Sequence, residues 1–323
     1  MSEWFEKWQV PLYLAGLSGG ALLGFFLPEK DNFFGMAINP ALILLLYATF
    51  LGVPFERIRE SVKDVRFLAV VLILNFLVVP AVVFVLSRFI LFDRALLVGV
   101  LLVLLCPCVD YVMVFTRLAH GAWEKILAIS PLLMLLQLAL LPLYLLAFAG
   151  RDVVESVQIE PFAQAFLLLI VFPLALSAMT QRFSQKFALA RHVMKAMEAA
   201  MVPLMAVTLF AVAASQFSRI VPQMGLLLTV VPIYVAFLVV MPLLGTMAGK
   251  ISRQDARTRR ALAFSCSTRN SLVVLPLALA LPDALSFAAA VVVTQTIVEL
   301  VGMVSFVRLF PRLIRDRDAS AED

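Results

Sequence analysis

The sequence predicts an all-α polytopic membrane protein: ten transmembrane helices in two inverted five-helix repeats, with helices 4 and 9 broken. Three observations predict it. Hydrophobic residues make up 63% of the 323 residues and charged residues only 15%, too little polar surface for a soluble domain of this size. Ten apolar runs reach bilayer length, with basic residues alternating between the segments that join them. Short motifs of the first half recur about 160 residues later in the second.

A bilayer core asks for about 20 apolar residues per helix. The runs that qualify are 11–27, 39–55, 66–90, 95–117, 126–149, 161–181, 197–216, 223–249, 258–281 and 284–308. Helices 1, 2, 6 and 7 carry only hydroxyls such as Thr49 and Thr208 at mid-depth, with Gln164 and Gln216 near their ends. Helices 3, 4, 5, 9 and 10 carry Asn75, Asp110, Gln137, Arg269, Asn270, Gln295 and Glu299. Polar groups at that depth are costly and mark a site or a pathway. The expected division is therefore a polar core bundle holding the site and an apolar panel against which it moves. All 323 residues form one transmembrane domain, with repeat one over about 11–150 and repeat two over about 161–310.

The formal net charge of +5 does not point to nucleic acid, because the cations sit in short connecting segments. Of the 26 Lys and Arg residues, 20 fall before helix 1, in alternate loops, or after helix 10. Only Lys30, Arg88, Arg94, Arg151 and Arg219 fall in the intervening loops, and Arg269 lies within a helix. This alternation places both termini in the cytoplasm, with a bacterial inner membrane as the expected location. The first ten residues, with Glu3, Glu6 and Lys7, do not read as a cleavable signal. The polar tail after Pro311 is expected to fray.

The repeat rests on several matches. Phe76-Leu77-Val78-Val79-Pro80 recurs as Phe237-Leu238-Val239-Val240-Met241-Pro242, and Phe55-x-Arg57-Ile58 as Phe217-x-Arg219-Ile220. Cys106 matches Cys266. Five helices per half is odd, so the halves insert with opposite topology. That is the pattern of secondary transporters, whose sites lie at broken helices near the midplane.

The breaks carry the chemistry. Pro107 lacks an N–H and clashes with the carbonyl of Val103, so helix 4 opens there. The run Ser265–Ser271, with Ser267 and Thr268, offers local hydrogen bonds that compete with helix 9. The plain alternative is a pair of kinked packing helices. All three cysteines, Cys106, Cys108 and Cys266, lie in these runs. Each alone reads as a small hydrophobe, but together at symmetric breaks they suit a soft, thiophilic ligand. They form no disulfide framework, and three sulfurs without a nearby histidine do not make a structural zinc site. A thiol nucleophile lacks its base, since His120 is about 18 Å beyond Cys108 along a helix. Asp110 and Arg269 face one another either as a static ion pair or as a pair that opens with substrate or proton. Glu299, one turn after Gln295, is a second candidate proton carrier if it is not a solvent-facing residue near a helix end.

The motif Pro107-Cys108-x-Asp110-Tyr111-x-x-Val114-Phe115-Thr116-x-Leu118-Ala119-x-Gly121 resembles the arsenite-efflux permease branch of the bile acid/sodium symporter superfamily. So do Thr268-Arg269-Asn270-Ser271-Leu272-Val273-Val274-Leu275-Pro276 and Thr294-Gln295-Thr296-x-Val298-Glu299-Leu300, and the resemblance covers essentially the whole chain. It implies export of trivalent arsenic or antimony driven by proton entry, with the essential helix-4 cysteine carried over to Cys108. One departure stands out. Better-known members of the branch have a glutamate in the broken part of helix 9, around Ser271, and this sequence has none. Either Asp110 takes over as the proton carrier, or this subgroup uses another substrate or ion.

The expected activity is therefore arsenite efflux in exchange for protons, with lipid as the surrounding partner and no cofactor. Cys108 would contact the metalloid, helped by Cys106 and Cys266. Asp110 and Glu299 would carry protons and Arg269 would balance charge. Asn270, Gln295 and Asn75 would hydrogen-bond hydroxyls around the break residues Pro107, Ser267, Thr268 and Ser271. The runner-up is a sodium-coupled importer of an organic anion, in which Arg269 would neutralise the substrate's carboxylate. A membrane-embedded thiol enzyme is a third alternative that the absent base disfavours.

Overall fold

The structure, a computed structural model, describes residues 2–26, 31–53, 64–109, 111–149, 164, 166–220 and 223–315. Apart from one isolated antiparallel bridge, the described elements are helices. They are α1 (Ser2–Phe26), α2 (Asp31–Gly52), α3 (Val65–Ile90), α4 (Arg94–Leu104), α5 (Val112–Leu118) and α6 (Trp123–Ala149). Then follow α7 (Leu167–Ser184), α8 (Ala188–Ile220), α9 (Met224–Ile251), α10 (Ala256–Ser267), α11 (Ser271–Leu279) and α12 (Ala288–Leu313).

Six of these, α3, α6, α7, α8, α9 and α12, are long and apolar enough to cross a membrane. Mid-helix side chains such as Leu77, Leu243 and Val301 are exposed, a surface that lipid tails cover. The chain is an all-helical, multi-pass membrane protein. Several helices outrun their apolar segments: α1 begins at Ser2 rather than 11, and α8 runs over Ala188–Ile220 rather than 197–216. Helical hydrogen bonding continues into the polar flanks, which hydropathy alone does not count. For the same reason α12 passes through Pro311 to Leu313 where fraying was expected. Lys30, Arg57, Arg59, Lys63, Arg151 and Arg317 of the charge pattern lie outside the described residues.

The chain divides into two compact units, and each takes elements from both sequence halves. One comprises Met1–Gly52, Gln158–Leu226 and Leu279–Leu281; the other comprises Val53–Val157, Leu227–Ala278 and Pro282–Asp323. In the first, α1 lies against α8 so closely that a Cβ on Gly16 would sit 2.6 Å from the carbonyl oxygen of Ala206. Small residues permit this approach between membrane helices. Gln181 of α7 donates to the carbonyls of Phe50 (3.2 Å) and Leu51 (3.1 Å), closing the last turn of α2.

The second unit holds α3 to α6 and α9 to α12. Asp93 and Asp255 cap α4 and α10 by accepting from Leu96 N and Thr258 N. Within α3, Pro80 has no N–H to offer the carbonyl of Phe76. The helix loosens into a π turn over Leu74–Val78, and Tyr144 of α6 donates to Phe76 O at 2.6 Å instead. The turn carries the buried Asn75.

Asp64 caps α3 through Phe67 N (3.0 Å) and pairs with Lys125 at the start of α6 (2.7 Å). Burial alone would raise its pKa, but the Lys125 ammonium and the Phe67 N–H outweigh that and hold it below the ordinary carboxylate value. A depressed folded-state pKa contributes stability above the unfolded value and loses it as pH falls through the folded value. Asp64→Ala is expected to cost about 1 kcal/mol at neutral pH, largely from the lost cap. The gap in melting temperature from wild type should shrink below about pH 4. A gap constant across pH would assign the effect to something other than the ionised carboxylate.

Candidate functional site

The candidate site residues that the structure describes lie in the second unit: Cys106, Pro107 and Cys108 between α4 and α5, Cys266 to Ser271 around the interruption between α10 and α11, Asn75 on α3, and Gln295 and Glu299 on α12. Asp110 lies outside the described residues. After α4 ends at Leu104, Pro107 pairs with Arg269 as an antiparallel bridge. Cys108 N donates to Thr268 O (3.3 Å) and Asn270 N donates to Cys106 O (2.8 Å). On the α10 side the Ser267 hydroxyl bonds back to Ala263 O (2.6 Å) and the Thr268 hydroxyl to Phe264 O. These bonds satisfy the last turn and let Thr268 leave the helix in an extended conformation. Asn270 Oδ1 accepts from Val273 N at 3.3 Å, and Thr296 of α12 donates to the Ser271 hydroxyl at 2.8 Å.

This cross-pairing has a cost at three carbonyls. In an uninterrupted helix Leu104 O, Ser265 O and Cys266 O would accept from the N–H four residues on, at Cys108, Arg269 and Asn270. Cys108 N and Asn270 N are spent on the bridge, and Arg269 N donates to Glu299 Oε2 at 2.9 Å. The Arg269 side chain replaces the missing donors. Its Nη2 reaches Ser265 O (3.0 Å), Cys266 O (2.7 Å) and Asn75 Oδ1 (3.0 Å), and its Nη1 reaches Leu104 O (3.4 Å). The guanidinium is fully buried and lies 5.4 Å from the centre of the Phe237 ring. Among the described residues it has no carboxylate within ion-pair distance. Asn75 is set for its part by donating to Val71 O and Ser265 Oγ.

Glu299, on α12, is 1% exposed, so it is not a solvent-facing residue. Its Oε2 accepts from Arg269 N and from Gln295 Nε2. Its Oε1 lies 2.6 Å from Tyr111 Oη, which also lies 2.9 Å from the carbonyl oxygen of Arg269. Sequence spacing did not single out Tyr111 or Ser265, because the partners of their hydroxyls are 158 to 190 residues away; Tyr111 and Glu299, for example, are 188 residues apart. Two buried polar atoms beside the breaks, Asn270 Nδ2 and Gln295 Oε1, have no hydrogen-bond partner among the described residues.

All three cysteines are reduced and fully buried. Cys106 and Cys108 flank Pro107 in the non-helical segment that follows α4. The Cys266 thiol instead donates to Met241 O of α9 at 3.0 Å. A Cβ on Gly245 would lie 2.6 Å from that sulfur. Gly245→Val is therefore expected to cost about 1–3 kcal/mol by overpacking. A second change, Cys266→Ala, should recover part of the lost melting temperature; no recovery would show that the sulfur is not the obstacle. Among the described residues no three thiol, imidazole or carboxylate groups converge as a metal site.

The sequence model of the sodium bile acid symporter family matches residues 39–223. No curated protein matches the chain.

Proposed function

Because the chain belongs to the sodium bile acid symporter family, whose members are membrane transporters rather than enzymes, we propose that it is a secondary transporter exporting arsenite in exchange for protons. Antimonite, with the same thiophilic chemistry, is the second expected substrate. The observation that carries this is the placement of Cys108 in the non-helical segment between α4 and α5, tied by its own N–H to the facing break. A soft thiol at an unwound backbone suits a trivalent metalloid better than a carboxylate substrate. Exchange of the thiol proton and one arsenic hydroxyl forms an S–As bond and releases water; water reverses the step on release. Asn270 Nδ2 and Gln295 Oε1 would take the remaining hydroxyls. With no cluster of three thiols among the described residues, the substrate is held by one sulfur and hydrogen bonds, weakly enough to leave.

Hydrogen counting supports a proton on Glu299. Tyr111 Oη has one hydrogen and lies against both Glu299 Oε1 and Arg269 O. A proton on Oε1 completes the chain: Glu299 donates to Tyr111, Tyr111 donates to Arg269 O, and Oε2 keeps its two donors. Losing that proton leaves one of the two contacts unfilled, so the join between α12 and the breaks responds to protonation. Asp110 remains the second candidate carrier.

In this account the ten spans form two inverted five-helix repeats in a bacterial inner membrane, both termini are cytoplasmic, and alternating access works around the paired breaks. Everted vesicles containing the protein should accumulate arsenite when their lumen is acidified, without sodium. Accumulation that ignores the proton gradient would reject the exchange. Sodium-dependent uptake of an organic anion would favour the importer that the family's description brings to mind. Arg269 is poorly placed for that role, because its guanidinium is already committed to four oxygens.

A further inference from the structure

The acceptors around Arg269 are those that bind a bare cation. Leu104 O, Ser265 O and Cys266 O are main-chain oxygens deprived of their helical donors, and Asn75 Oδ1 completes the group. Leu104 closes α4, and Ser265 and Cys266 belong to the last turn of α10, so two negative helix ends converge on one point. Unwound carbonyls and half-helix C-terminal ends of this kind hold sodium in transporters built on broken helices. Here a guanidinium fills the place. We infer that Arg269 is a tethered substitute for an alkali cation, and that the chain works without sodium because its cation site is occupied by its own side chain.

The consequence is mechanistic. A cation fixed to the backbone of the break cannot be taken up on one side of the membrane and released on the other, so it stores no ion gradient. It keeps the two breaks joined in every state, and coupling falls to a group that can change charge, such as Glu299. The inference rests on the transporter reading of these breaks and not on the identity of the substrate.

The test uses the purified full-length protein in detergent and follows thermal unfolding, with no transported substrate. Replacing choline by sodium at about 100 mM should move the wild-type melting temperature by less than about 1 °C. A rise of about 3 °C or more with sodium, absent with potassium, would mean that a free sodium site exists and would overturn the inference. Arg269→Ala should melt at least about 5 °C lower in choline, and sodium or guanidinium ion at millimolar levels should restore about half of that loss. A variant that melts cooperatively but responds to neither cation would also overturn it. Should the alanine variant fail to fold, Arg269→Lys keeps a tethered cation and is expected to be insensitive to sodium like the wild type. Sodium-specific stabilisation of the lysine variant beyond about 3 °C would count against it. No arm uses arsenite, so failure here is separable from failure of the arsenite assignment.

Discussion

Cys108→Ser is expected to abolish arsenite efflux while leaving the protein folded and inserted. The substitution exchanges sulfur for oxygen in a fully buried position and leaves untouched the Cys108 N–H that joins the breaks. What it removes is a soft ligand: a hydroxyl is a poor partner for trivalent arsenic. Efflux should fall by at least about tenfold, the equivalent of about 1.4 kcal/mol of lost interaction. Cys266→Ala should leave efflux near wild type, because that thiol is turned to Met241 O. Equal loss in both variants would indicate damage to packing; equal retention would remove the thiol from the mechanism.

Glu299→Gln is expected to separate binding from coupling. Glutamine is isosteric, retains an oxygen for the Arg269 N–H and offers an amide hydrogen to Tyr111, so the join between α12 and the breaks survives. It cannot take up or release a proton as a carboxyl group does. Proton-driven efflux should fall by about tenfold or more, while exchange of arsenite for arsenite across the membrane persists. Wild-type driven efflux in this variant would move the proton to Asp110. Loss of both activities would make Glu299 a structural residue.

The membrane character of the chain was legible in composition alone. The breaks were legible too, for local reasons: Pro107 removes a helical donor by itself, and the hydroxyls of Ser267 and Thr268 reach back to carbonyls of their own turn. The role of Arg269 was not legible. From sequence it is a charge in need of a carboxylate, and Asp110 is the obvious candidate. Among the described residues, which leave out Asp110, its acceptors are Asn75 Oδ1 and three carbonyls freed when the two breaks pair, a consequence of contacts about 160 residues apart in sequence. Tyr111 was hidden for the same reason. Cys266 looked symmetric with Cys106, but the glycine at 245 opens a slot on α9 that takes its sulfur. The grouping of α1, α2, α7 and α8 into one unit follows the helices in which sequence placed only hydroxyls at mid-depth.

The most direct measurement is proton movement in proteoliposomes containing only the purified protein and a lumenal pH indicator. An arsenite gradient imposed in sodium-free buffer should drive protons in the opposite direction, and Cys108→Ser liposomes should show no signal. An arsenite gradient that moves no protons in well-reconstituted wild-type liposomes, together with sodium-dependent uptake of an organic anion by the same preparation, would contradict the account.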